Sequence, residues 1–158
     1  MVDMRYRQGG LFGQSIGALA LCLSLLAAHT PPKAILRDIK PAPPVPAEKR
    51  SPALVRAHAV AFDFRLFNCD GRATKPLEVR MNLFPDVDIP VTWTPVDGGV
   101  WHGSVRGIPN ASSTLICSGK RVTANVDRAT DAMYRIETND AGVVWVFEIQ
   151  RSKLPTDR

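Results

Sequence analysis

The sequence has few of the residues that catalytic and metal sites require. Its 158 residues include three histidines and three cysteines, and they are scattered along the chain. It has no His-Glu-x-x-His motif, no cysteine pair with zinc-finger spacing and no glycine-rich loop that could cradle a phosphate. Ser104 lies in HGSVRG, which lacks the Gly-x-Ser-x-Gly order of a nucleophile elbow. We therefore predict a protein that is not an enzyme, with no catalytic residue, no metal ligand and no cofactor.

Asp86 and Asp88 are the one pair of carboxylates that suggests chemistry. Two such groups can bind calcium or act as an acid and a base, which leaves a small hydrolase as an alternative. No third acidic residue lies beside them in FPDVDIP. We interpret Asp86, which follows Pro85, as the start of a turn.

The folded part of the chain lacks an excess of positive charge. The net charge is +5, but residues 57–158 contain 12 Lys or Arg and 12 Asp or Glu. A surface that binds nucleic acid needs clustered positive charge on a folded domain. The excess lies before residue 57, so we predict no nucleic-acid partner.

The amino terminus has the pattern of an export signal. Arg5 and Arg7 precede an apolar run, SIGALALCLSLLAA, that ends in two alanines. A basic start, a short apolar core and small residues at the exit are typical of a secretory signal peptide, which we place at residues 1–28. An uncleaved anchor is the alternative, and it would be the only contact with a membrane. We predict an exported protein, either periplasmic or secreted.

Export changes the interpretation of the cysteines. Cys22 would leave with the signal, and Cys69 and Cys117 would remain in an oxidising compartment. An even number of cysteines there favours a disulfide between Cys69 and Cys117. A reactive thiol, or a thiol that ligates a zinc ion in a partner, is the alternative.

Residues 29–52 are predicted to be a proline-rich linker. Proline fixes its own backbone and pushes the preceding residue toward extended conformations, so KPAPPVPAEKRSP is expected to be a semi-rigid, solvated spacer. A proline-rich ligand for an aromatic groove is the functional alternative. The folded domain is then expected to span residues 53–158.

The rest of the chain alternates between apolar and polar residues with a period of two, which is the signature of strands. About eight such stretches recur every eight to twelve residues, separated by turns such as Asp70-Gly71 and DGG. The spacing predicts an all-β fold, an antiparallel sandwich or a barrel-like sheet. Pro90 lacks a backbone N–H, so we expect its strand to be an edge or to contain a bulge, and we take the edge as the candidate. The residues of this candidate interaction edge are Val87, Ile89, Val91 and Trp93.

The order of several blocks resembles a known family. The stretches VRMNLFPDVDI, VWHGSVRGIPNASSTLIC, KRVTANV, MYRIET and VFEIQRSKLP are similar, in order and spacing, to the amino-terminal pro-domain of secreted bacterial zinc metalloproteases of the reprolysin-like type. The resemblance covers roughly residues 58–155. Such proteases carry their zinc-binding helix after this region, and this sequence contains no catalytic domain, so no catalytic residue can be transferred.

The resemblance implies a non-catalytic domain that binds, chaperones or inhibits a partner polypeptide, such as a secreted metalloprotease. The predicted edge gives a physical route, since an exposed strand can pair with another chain. A periplasmic or surface binding module for envelope or carbohydrate ligands is the alternative. An exposed patch formed by Trp93, Trp101 or Trp145 would favour that alternative, and burial of all three would weaken it.

Overall fold

The computed structural model describes residues 32–69 and 75–155 and shows an all-β fold. The predicted signal peptide at residues 1–28 and the predicted turn at Asp70-Gly71 lie outside these residues. The strands are β1 (Lys33–Ala34), β2 (Leu36–Asp38), β3 (Leu54–Phe62), β4 (Leu77–Phe84), β5 (Val87–Pro95), β6 (Val100–Val105), β7 (Ser112–Ser118), β8 (Arg121–Asp127), β9 (Ala132–Thr138) and β10 (Val144–Gln150). Short 3₁₀ turns span Ala47–Lys49, Phe64–Leu66 and Arg151–Lys153.

The predicted stretches correspond to the eight longer strands, β3 to β10, and the alternation is clearest in β5, β7 and β8. In β8, for example, Val122, Ala124 and Val126 are buried, whereas the residues between them are exposed. The predicted bounds of β4, β5, β7 and β8 match the structure because glycine, proline and aspartate turns delimit them. The fold class predicted from the sequence is therefore confirmed.

The strands form one nearly closed, barrel-like sheet rather than two packed sheets. The order is β1-β4-β5-β6-β7-β8-β9-β10-β3-β2, so β4 to β10 form a meander in which each strand pairs with the next. β10 then pairs with β3, and β1 and β2, separated only by Ile35, lie at the two ends of this order. The amino-terminal chain thereby joins the two borders of the sheet, which removes the exposed edges of an open sheet.

The inside of the barrel is filled by apolar side chains. The largest fully buried residues include Trp93, Tyr134, Met81, Leu83 and Leu115. They come from β4, β5, β7 and β9, so every part of the meander contributes to one core. A small barrel of this kind is closed by side-chain packing and is not a channel.

The structure differs from the sequence-based prediction at the amino-terminal border of the domain. Residues 33–38, predicted to belong to a solvated linker, instead pair with both β3 and β4. Ile35 and Leu36 are buried in the barrel core. Two adjacent apolar side chains thus favour the sheet over the solvent, despite the prolines on both sides. We call residues 33–38 the bridging segment.

Residues 39–50 follow the bridging segment and lie on the outside of the barrel. Ile39 and Val45 pack on a second apolar cluster whose buried members are Ala59 on β3 and Trp145 and Phe147 on β10. β10 is therefore buried on both faces, by the core on one side and by this covering segment on the other. We call residues 39–50 the strap.

Candidate functional site

The predicted interaction edge is wrong. β5 lies inside the sheet, with β4 on one side and β6 on the other. Val87, Ile89, Val91 and Trp93 point into the core and are all buried. These four side chains hold the barrel together and cannot receive a partner strand.

Pro90 is tolerated in this inner strand because of where β6 ends. Its carbonyl accepts a hydrogen bond of 3.0 Å from the backbone N–H of Arg106, directly after the last residue of β6. The N–H that proline lacks would point to the same side, where the ladder with β6 is already ending. The absence of this N–H therefore costs one hydrogen bond at the end of the ladder, and β5 stays paired with β6.

The predicted disulfide is confirmed. Cys69 and Cys117 are bonded, with Cα atoms 5.1 Å apart. The bond attaches the segment that follows β3 to the end of β7. Gly99 fits closely against this point, because a Cβ atom there would lie 2.1 Å from the carbonyl oxygen of Cys117. A backbone approach this close, with a φ of +78°, requires glycine.

The three tryptophans do not form an exposed patch. The exposed fractions of Trp93, Trp101 and Trp145 are 0%, 2% and 2%. Trp93 and Trp101 each pack against the ring of Phe67 in edge-to-face geometry, inside the barrel. Trp145 lies under the strap. The binding module for carbohydrate or envelope ligands therefore lacks the surface that would favour it.

The two carboxylates in FPDVDIP do not share one site. Asp86 accepts two hydrogen bonds from the guanidinium of Arg56, at 2.7 and 3.0 Å, which lower the pKa of the Asp86 carboxyl. Asp88 instead pairs with Arg80. Each carboxylate has its own arginine, so the pair lacks the shared environment of an acid and a base.

The structure points to a different feature, the place where the bridging segment lies between β3 and β4. We call this place the seam. The segment is parallel to β4, with Lys33 opposite Val79, and antiparallel to β3, with Leu36 opposite Phe62. Two paired positions on one side and three on the other make these the shortest ladders in the sheet. A short ladder supplies few of the hydrogen bonds that hold a strand in place.

An asparagine on β4 compensates for this short ladder. The Asn82 side-chain oxygen accepts from the backbone N–H of Leu36 at 3.2 Å, and its amide donates to the Leu36 carbonyl at 2.8 Å. A side-chain amide offers the same donor and acceptor as a peptide group. Asn82 thus takes the role of a paired strand residue at the point where the parallel pairing with β4 ends.

Polar side-chain contacts lie at both ends of the bridging segment. Lys33 lies 3.2 Å from Asp63, which also receives a hydrogen bond of 2.9 Å from Arg65. The hydrogen bonds from Arg65, and then from Lys33, hold the pKa of Asp63 well below its usual range. At the other end, the Asp38 carboxylate lies 3.5 Å from Nδ1 of His58.

His58 also has a structural partner on its other nitrogen. Nε2 lies 2.6 Å from the carbonyl oxygen of Leu83, which can only accept, so Nε2 carries the hydrogen. The imidazole stacks on Phe84 with ring centroids 4.8 Å apart. His58 therefore connects β3, the end of β4 and the bridging segment, which is a packing role.

Arg56 organises the same end of the barrel. Its guanidinium contacts Asp86 and Glu148, and it lies 4.0 Å above the ring centre of Phe84. The hydrogen bond with Asp86, followed by that with Glu148, raises the pKa of Arg56 above its already high value. The cluster closes the barrel end with paired charges and offers no free nucleophile or base.

No group of three or more His, Cys, Asp or Glu side chains within residues 32–69 and 75–155 is placed to hold a metal ion. His102 lies exposed on β6, opposite Thr94 and Thr114, far along the sheet order from His58 on β3. In the same ranges, no helix has the length and apolar character needed to cross a membrane. No family model, curated protein or solved structure matches the chain.

Sequence reasoning missed the seam because the prolines dominated the interpretation of residues 29–52. Two signals were present. Ile35 and Leu36 are adjacent apolar residues inside KAILRDIK, which is unusual for a solvated spacer. The stretch VVWVFEI is apolar at outward as well as inward positions, which indicates that something covers β10 from outside.

Proposed function

We propose that this protein is an exported, non-catalytic domain that binds a partner polypeptide by strand exchange at the seam. The incoming strand takes the place of the bridging segment and pairs with β3 and β4. The sheet then keeps its closure, because one extended strand replaces another. Strand addition is a common way to recognise peptides, with backbone hydrogen bonds giving affinity and alternate side chains giving specificity.

One observation carries this proposal. The bridging segment is the part of the sheet with the shortest ladders, yet it supplies two fully buried side chains, Ile35 and Leu36. A partner strand with apolar residues at the same positions would fill the same space. Such a replacement is accessible because local openings begin where backbone pairing is shortest.

The resemblance to metalloprotease pro-domains gives the class of partner. The resemblance implies that the domain binds such a protease, and an extended strand of that partner would pair with β3 and β4 at the seam. The partner we propose is a secreted zinc metalloprotease of the reprolysin-like type. Export, as inferred from the basic and apolar amino terminus, would place both proteins in one compartment.

A reversible lock on the bridging segment tests the proposal. Arg37 and Ala61 are opposite each other in the antiparallel pair of β2 with β3, and both are exposed. Opposite residues of such a pair have Cα atoms about 4.5 to 5.5 Å apart, a separation that a disulfide can span. We expect the double variant Arg37→Cys/Ala61→Cys to form a bond that holds the segment in the seam.

The measurement is binding of the protein to such a protease, together with protease activity. The unlocked protein should form a complex and change the activity, and the locked form should do neither. Arg37→Cys alone, with its thiol alkylated, is the matched control and should behave as the unlocked protein. Equal binding by the locked and unlocked forms would exclude the seam, and no complex with either would exclude the function.

A further inference from the structure

The outer face of β3 and β10 carries an apolar surface that the strap covers. Ala57 and Ala59 on β3 lie opposite Phe147 and Trp145 on β10, in one apolar cluster. The two aromatic rings stack with centroids 6.2 Å apart. We call these four residues the trough. Small residues beside stacked aromatic rings form the kind of groove that binds extended, proline-rich chain.

The occupant of the trough is the strap, and its sequence identifies the chemistry that fits there. Residues 40–46 read KPAPPVP and contain four prolines. Val45 and Ile39 pack against the trough, and Trp145 and Phe147 are only 2% and 4% exposed as a result. A proline-rich segment is already extended before binding, so little conformational entropy is lost when it docks.

The strap is held mainly at its ends. Before the prolines, the Ile39 N–H donates to the Ala59 carbonyl at 3.4 Å. After them, Lys49 pairs with Glu137 on β9 at 2.5 Å. Among the described residues, the strap's backbone makes its other hydrogen bonds within itself, such as Lys49 to Pro46. Between these two points the strap contacts the barrel through side chains, such as that of Val45.

The fit between strap and trough is incomplete at one atom. The indole Nε1 of Trp145 is buried and has no hydrogen-bond partner. Buried tryptophan N–H groups usually find an acceptor, and leaving one unsatisfied is costly. A different extended segment that places a backbone carbonyl over this nitrogen would gain a hydrogen bond that the strap does not make.

We propose that the trough binds a proline-rich segment of another polypeptide, followed by a basic residue that pairs with Glu137, and that the strap is its internal competitor. This rests on the proposed function only in that the protein binds polypeptides. The strap has the same pattern, with Lys49 three residues after Pro46. Glu137 also contacts Arg135 at 3.0 Å, so it remains part of the folded surface when the strap leaves.

The test uses the purified full chain and a fluorescent peptide of sequence KPAPPVPAEK, which copies residues 40–49. Val45→Asp replaces the half-buried valine of the strap with a charge, and the weaker internal competitor should let the peptide bind about tenfold more tightly. Ala42→Asp places the same charge at an exposed position of the strap and should bind as the unmodified protein does. Fluorescence anisotropy measures both, and a peptide with alanine at the four prolines should bind neither.

Two further variants show whether peptide binding depends on the aromatic surface of the trough and on release of the strap. Trp145→Ala in the Val45→Asp background removes one of the two stacked rings of the trough and should weaken peptide binding several-fold. Lys49→Glu breaks the other attachment of the strap and should also expose the trough. Acrylamide quenching, compared between proteins with and without Trp145, reports whether the strap has left.

Each outcome is decisive for the trough. If the strap leaves and the peptide binds no more tightly, the trough is a structural contact and the proposal is overturned. If neither Val45→Asp nor Lys49→Glu releases the strap, the trough cannot be reached and the proposal is equally overturned. The seam lock does not touch the trough, so peptide binding that persists in Arg37→Cys/Ala61→Cys would uphold the trough whatever the protease experiment shows.

Discussion

The meander and the amino-terminal part of the chain belong to one barrel but are held in different ways. β4 to β10 pair in succession, and β7 and β8 alone share seven paired positions. The bridging segment pairs at two positions with β4 and three with β3. Both regions bury side chains completely, since Leu115 in β7 is 0% exposed and Leu36 is 1% exposed. Equal burial thus coexists with unequal backbone pairing.

The comparison shows that the burial of side chains and the ease with which a strand opens locally are separate properties. Apolar burial contributes free energy wherever it occurs, but a strand leaves locally only if few backbone bonds break with it. The meander is expected to unfold with the whole domain. The bridging segment and the strap are expected to open first, and their opening would uncover both proposed binding surfaces.

The largest loss of stability should follow removal of the disulfide, which attaches the segment after β3 to β7 of the meander. Cys69→Ser/Cys117→Ser removes a closure between residues 48 positions apart. On the chain-entropy model we expect the free energy of unfolding to fall by about 4 kcal/mol. Urea unfolding followed by tryptophan fluorescence measures this. A loss below about 1 kcal/mol would mean that the segment after β3 is already fixed by packing alone.

A matched pair of leucines tests the comparison directly. Leu115→Ala should lower the global free energy of unfolding by about 3 kcal/mol, as expected for a cavity in a rigid core. Leu36→Ala should lower it less, because the bridging segment can detach while the meander stays folded. Hydrogen exchange should show faster exchange confined to β2 and its neighbours in Leu36→Ala. Equal global losses in the two variants would show that the two regions unfold as one unit.

Asn82 should matter for the seam and little for the meander. Asn82→Ala leaves the N–H and the carbonyl of Leu36 without their side-chain partner, at an expected cost of about 2 kcal/mol for the segment. The Leu36 amide should then exchange faster. Asn125→Ala, on an exposed position of β8, is the control. Unchanged exchange at Leu36 would indicate that backbone pairing alone holds the segment.

The smallest expected effect is on the pH dependence of the unfolding free energy, and it involves the contact that follows the last strand of the meander. Asp131 accepts hydrogen bonds from the backbone N–H of Ser152 at 2.7 Å and from its hydroxyl at 2.8 Å. The backbone bond, followed by the hydroxyl bond, lowers the pKa of Asp131 below its ordinary value of 3.8. The unfolded chain therefore binds this proton more readily, and the stabilisation present above pH 3.8 is lost as the pH falls below it.

Asp131→Asn should flatten the acid limb of a plot of unfolding free energy against pH. Ser152→Ala removes only the weaker donor and should give an intermediate slope. Identical slopes in all three proteins would place the acid sensitivity of the domain elsewhere, for example at Asp86 or Asp127, whose pKa values are also lowered.

Much of the fold could be predicted because strands are local patterns. The alternation in LEVRMNLF or RVTANVD fixes which side chains point inward, and the turn residues between them fix the bounds. The pairing of Cys69 with Cys117 followed from their number and from the predicted compartment. The site could not be predicted in the same way, because Asn82 and Leu36 are 46 residues apart and meet only in the closed barrel.

The sequence by itself determined the eight longer strands and most of their inward faces, since each depends on residues that are neighbours along the chain. The cysteine pair followed from the number of cysteines outside the predicted signal peptide. Only the tertiary structure decided how those strands are arranged. Closure of the sheet placed β5 inside rather than at an edge, and it drew Ile35 and Leu36 out of a proline-rich stretch into the core. The physical reason is that an open border leaves backbone groups unpaired and core side chains uncovered. The bridging segment can cover both the unpaired backbone groups and the core side chains. It therefore joins the sheet, although the prolines around it disfavour a strand.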